Sequence, residues 1–125
     1  MQLKRWIYER GLVAVIAAFA CAGPAMAVNY SCGGAVNGVT VGPGGTLSAA
    51  NAGGQSWGYF CQIGATTNNI SSDACKGMLA VLLAAQASGK QVVVWYSDDH
   101  DCAWHAANGA WQWLSTVYWG PAMME

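Results

Sequence analysis

The fold the sequence predicts is a small, mainly β domain with one helix, in the order three strands, helix, two strands. Three observations predict it. Ser71, Ser72 and Asp73 offer N-cap oxygens and a negative charge where a helical apolar period begins, and Gly89 offers a left-handed C-terminal stop, which bounds a helix from Ser72 to Ser88. Trp57, Tyr59, Cys61 and Ile63 alternate with Ser56, Gly58, Phe60 and Gln62 just before it, the period of a strand. After it, Val92-Val93-Val94-Trp95-Tyr96 is an unbroken β-branched and aromatic run, the mark of a strand covered on both faces.

In chain order, Lys4, Arg5 and Arg10 precede an apolar run from Leu12 to about Ala22 and then Ala25-Met26-Ala27. Basic, apolar, then small is the order of a signal peptide over residues 1–27, with cleavage near Ala27, and the run is too short to span a membrane. The mature chain would then be Val28 to Glu125, 98 of the 125 residues and one domain. Ala35 to Val41 predicts a first strand, kinked by a bulge at Gly38 because Val36 and Val39 cannot share a face in strict alternation. Gly42-Pro43-Gly44-Gly45 is a turn, and Thr46 to about Ala50 makes a second strand paired with the first. Strand three runs from Ser56 to Ile63, and Gly64 to Ile70 is a polar loop.

On the helix, Cys75, Met78, Leu79, Leu82 and Leu83 form the apolar stripe, with Gln86 an unexplained polar member, while Gly77, Ala80, Ala84 and Ser88 fall opposite. An outer face of such small residues would let a second copy approach, which raises a homo-oligomer as an expectation. Strand four is Gln91 to Tyr96. A long connection follows from Ser97 to about Ala110, and the last strand is Trp111 to Trp119, ended by Gly120-Pro121.

This order, with a kinked first strand, is that of a five-stranded OB-fold barrel. The mature chain keeps four cysteines, an even number that reads as two disulfides in an exported chain this short, with three pairings open. In that barrel the start of strand one lies beside the end of strand four, so the fold pairs Cys32 with Cys102 and leaves Cys61 for Cys75. Crosslinks of these lengths contribute roughly 4 and 3 kcal/mol.

The segment Cys32 to about Pro121 also resembles a group of small exported bacterial proteins, mostly of unassigned function. The likeness rests on the four-cysteine spacing, on Cys75-Lys76 opening the helix, and on Leu82-Leu83-Ala84-Ala85 followed by Ser88-Gly89-Lys90 and a valine-rich strand. More distantly the layout resembles the receptor-binding B subunits of AB5 toxins, OB-folds that form pentamers and bind cell-surface glycans. That resemblance implies architecture alone: no glycan-binding residue of those toxins matches a position here, and no toxic A subunit is encoded in this chain.

After residue 27 only Lys76 and Lys90 face Asp73, Asp98, Asp99, Asp101 and Glu125, a net charge of −3. The absence of a basic patch argues against nucleic acid and anionic membrane surfaces as partners. Asp98, Asp99, His100, Asp101 and His105 are the one cluster suited to acid–base or metal chemistry, yet they match no metal motif. No nucleophile elbow or phosphate loop is present, so neither a catalytic residue nor a cofactor is assigned. The aromatics are the second signal: Trp57, Trp95, Trp104, Trp111, Trp113 and Trp119 with Tyr30, Tyr59, Tyr96 and Tyr118 are too many to point into one small barrel.

The leading expectation is a non-enzymatic, secreted or periplasmic module for a glycan or protein ligand. Trp104 and Trp111 would be its aromatic anchors, and Asp98, Asp99 and Asp101 its acceptors for ligand hydroxyls. A metal-dependent hydrolase centred on His100 and His105, and a structural envelope protein without a small ligand, stand as the alternatives.

Overall fold

A computed structural model describes residues 28–125, so the predicted signal peptide lies outside the described residues. The chain forms six strands and two helices: β1 (Val28–Ala35), β2 (Asn37–Val41), β3 (Thr46–Asn51), β4 (Tyr59–Gln62), α1 (Ser72–Ser88), β5 (Gln91–Asp98), α2 (Cys102–Asn108) and β6 (Val117–Met123). All strand pairing within the sheets is antiparallel. One sheet has the order β1-β5-β6 and the other β2-β3-β4.

The fold is therefore mainly β with two disulfides, but it is not the single five-stranded barrel expected, and it has a second helix. β1 and β2 are consecutive strands broken at buried Val36, so one stretch of chain serves first one sheet and then the other. The kink falls there and not as a bulge at Gly38. That glycine keeps an unbroken register opposite β3 by taking φ 61°. At the other corner the sheets are stitched by three backbone bonds without closing: Trp111 N–H to Trp57 O at 2.9 Å, Tyr59 N–H to Gln112 O at 2.8 Å and Leu114 N–H to Tyr59 O at 2.9 Å.

α1 has the predicted bounds. Ser71 Oγ accepts from Ala74 N–H at 3.1 Å, and Gly89 closes the helix at φ 68° with its N–H on Ala85 O. Cys75, Leu82 and Ala85 are buried, but Leu83 is 45% exposed and does not belong to the stripe. Gln86 gains a role: its Oε1 accepts the Val39 N–H at 3.0 Å, tying α1 to β2. The predicted small outer face, Gly77, Ala80, Ala84 and Ser88, is exposed.

β5 is the spine. Burial alternates strictly along it, so Val92, Val94, Tyr96 and Asp98 point inward, and the first three meet Leu47, Phe60, Leu82 and Leu114 in one core. Cys32–Cys102 joins β1 to α2, and Cys61–Cys75 joins β4 to α1. No helix among the described residues is long and apolar enough to cross a membrane.

The long connection after β5 is not a loop. Asp101 caps α2, accepting the Trp104 N–H at 2.7 Å, and the alanine-rich residues behind it continue the turn. The last strand begins at Val117 and not at Trp111, and Gly120–Pro121 lies inside it rather than ending it. β6 is a sheet edge, and the register against β5 is irregular between Val93 and Trp95. A proline is tolerated at such a place because its missing N–H breaks no interior ladder bond.

Candidate binding site

The strand alternation that buries Val92, Val94 and Tyr96 carries Asp98, the last residue of β5, into the same interior, and the chain answers with donors from three directions. Tyr30, from β1, donates its hydroxyl to Asp98 Oδ1 at 2.5 Å. Thr116, just before β6, donates to Oδ2 at 2.6 Å, and the His100 N–H reaches Oδ1 at 2.8 Å. His105 comes from α2, three residues beyond the disulfide at Cys102, with Nε2 at 3.1 Å from Asp98 Oδ2 and 2.7 Å from Tyr30 Oη. Its ring stacks on Tyr96 at a centroid distance of 4.0 Å, and it is 5% exposed.

Burial by itself would raise the Asp98 pKa. The Thr116 and Tyr30 hydroxyls, the His100 N–H and the neighbouring His105 outweigh it and bring the carboxyl to about 2. Burial lowers the His105 pKa from its ordinary value in spite of Asp98, so at neutral pH the imidazole is uncharged beside an ionised carboxylate. Burial, then the Asp98 hydrogen bond and charge, hold the Tyr30 pKa far above the usual phenol range, and burial takes Tyr96 up to about 12. The carboxylate is saturated with donors. Asp98 and His105 form a structural knot in which the carboxylate and the His105 Nε2 are taken up by partners within the protein. Among the described residues no group of three or more His, Cys, Asp or Glu is placed to hold a metal ion.

Above this knot lies a cavity of about 360 Å³ between α2 and residues 109–116. Trp104 and Trp113 line it and are 40% and 41% exposed. His100 stacks flat on Trp104 at 3.5 Å and 3°, which holds the indole in place. Asp99, Asn108, Gln112 and Ser115 complete the polar lining.

The expected site residues thus separate. Asp98 and Trp104 meet at one cavity with Asp99, but Asp98 is its floor and not a free acceptor. Asp101 is spent as the cap of α2. Trp111, 59% exposed, borders a different cavity of about 380 Å³ with Trp57, Tyr59 and the Gly42–Gly45 turn.

Sequence reasoning left Tyr30 and Thr116 out of the site and gave Trp57 and Trp113 no part in it. Trp57 and Trp111 stack at 5.3 Å and 12° and both hold left-handed backbone, φ 55° and 61°. A bulky residue there costs of order 1–3 kcal/mol and persists only where its surroundings force it. Here the backbone bond between the two residues and another from Trp57 N–H to Ala49 O, at 2.8 Å, do so. Inside, the Gln55 amide and the Tyr96 hydroxyl are buried without a hydrogen-bond partner among the described residues. Gly109 permits this packing, because a Cβ there would lie 2.2 Å from Gln55 Oε1.

No family model, no curated protein and no solved structure matches this chain.

Proposed function

We propose that this protein is a secreted or periplasmic, non-enzymatic binding module that takes a glycan in the cavity between α2 and residues 109–116. The observation that carries the reading is the lining of that cavity: two partly exposed indoles, one braced by His100, beside carboxylate, amide and hydroxyl groups. Indole faces suit the apolar faces of sugar rings, and Asp99, Asn108, Gln112 and Ser115 suit their hydroxyls. Two disulfides fit an oxidising compartment. The hydrolase alternative draws no support from His105, whose Nε2 is turned into the buried knot.

Titration of a glycan panel followed by tryptophan fluorescence tests the proposal. Trp104→Ala should weaken binding about tenfold, the loss of roughly 1.4 kcal/mol of stacking and burial. Equal affinity in parent and variant would place the site elsewhere.

The exposed small-residue face of α1 supports self-association as part of the same reading, since repetition would multiply a weak site. Light scattering should then show Ala84→Glu lowering the mass of an oligomeric parent. A parent already monomeric removes this element.

A further inference from the structure

The cavity bounded by Trp57, Tyr59 and Trp111 is not used by the binding site just described, and its construction differs from that site in one respect. No charged side chain lines it; its polar groups are the hydroxyls of Thr40, Thr46, Ser48 and Tyr59, the indole N–H groups and the backbone of Gly42, Pro43 and Gly44. An ion of either sign would find no counter-charge there. The other cavity carries Asp98 and Asp99 and no lysine or arginine, so it repels anions. An uncharged ligand is the one class that both accept.

A row of aromatic rings links the two cavities. Trp57 stacks on Trp111, Tyr59 lies 6.3 Å from Trp111 and 5.4 Å from Trp113, and Trp113 is itself a wall of the first cavity. Four aromatic rings therefore form an unbroken ridge from one cavity to the other. Its geometry is set in advance by the three backbone bonds that join residues 57–59 to residues 111–114, so little ordering is needed when a ligand lies along it.

We infer that the two cavities are subsites of one surface for a linear, uncharged oligosaccharide several units long. This rests on the glycan reading above and adds to it chain length and charge. Sugar units joined in one chain reach the second subsite at high effective concentration, so affinity rises with length without any new kind of contact.

Calorimetry on the oxidised protein with glucose, N-acetylglucosamine and their linear trimers and hexamers, and with a sialylated hexasaccharide as the charged control, tests this. For at least one neutral series the hexamer should bind at least about tenfold more tightly than the monomer, and the sialylated chain should bind less well than the neutral hexamer. Trp111→Ala should shrink the gain with length to less than about threefold, and Trp111→Phe, which keeps an aromatic face, should restore it. Equal affinity for monomer and hexamer, or a length dependence untouched by Trp111→Ala, overturns the two-subsite proposal while leaving a single glycan site in place. Failure of every sugar to bind, with Trp104→Ala indistinguishable from the parent, overturns the glycan reading and this inference with it.

Discussion

The Asp98 knot and the aromatic ridge border the same cavity and are built on opposite principles. The knot is closed: Asp98 has Tyr30, Thr116, His100 and His105 as partners, and the charge is held below its ordinary pKa by donors that face inward. The ridge is open: Trp111 and Trp113 give half of their surface to solvent, and two residues of the ridge occupy backbone space that tryptophan avoids. The first arrangement satisfies its charge within the protein. The second leaves aromatic surface exposed to solvent. A cluster of titratable residues in a sequence draws attention as chemistry, yet in this molecule Asp98 and His105 are bonded into the scaffold, and the tryptophans beside them are the exposed groups.

The largest test of this contrast is removal of the knot's centre. Asp98→Ala leaves the Tyr30, Thr116 and His105 donors without their acceptor and should cost about 3–5 kcal/mol in urea unfolding, with Asp98→Asn recovering part of it. A loss below about 1 kcal/mol would mean that the carboxylate is not what holds α2 to β1.

pH is the next lever, and its sign follows from the direction of each shift. Asp98 has a folded pKa of about 2 against about 3.9 unfolded, so its contribution is complete above about pH 4 and is lost as pH falls toward 2, up to about 2.5 kcal/mol. His105 has a lowered folded pKa, so the unfolded chain takes up its proton first, and stability declines as pH drops below about 6.5. Tyr96, raised to about 12, holds its proton longer when folded and makes stability fall above about pH 10. Thermal melts across pH should show a plateau between about 6.5 and 10, and His105→Gln should extend it toward acid. A melt that weakened from pH 6.5 to 5 identically in parent and variant would remove His105 from this account.

The smallest expected effect lies on the ridge. Trp111→Gly relieves a left-handed residue and gives up an exposed ring, so unfolding free energy should change by less than about 1 kcal/mol in either direction. A loss of 3 kcal/mol would make the ridge a structural element and erase the contrast.

The legible parts of this chain are those whose signals are local. α1 was bounded by its own caps at Ser71 and Gly89, and β5 by its run of β-branched and aromatic side chains. β1 was not legible, because Tyr30-Ser31-Cys32-Gly33-Gly34 has no apolar alternation and becomes a strand by pairing residue for residue with β5. The barrel expected from strand order failed for a related reason. Order constrains which strands are adjacent but not whether the outer ones close, and here a break at Val36 and the three bonds at residues 57–59 decide it. α2 was hidden by its capping residue: Asp101 was read as an acceptor for ligand when its carboxylate caps the helix. Trp104 and Asp99 do share a cavity. That Trp111 belongs to another depends on the turn through residues 109–116, which no periodicity encodes.

α2 has seven residues, too few to hold a helical shape by its own backbone bonds, and its covalent anchor is Cys102 to Cys32. That bond joins the His105 hydrogen bonds in tying α2, the wall that carries Trp104, to the sheet, while the Trp57–Trp111 pair is hydrogen-bonded through main chain elsewhere. One wall of the first cavity thus rests in part on a covalent bond that forms only where thiols are oxidised, and the second cavity is built without one.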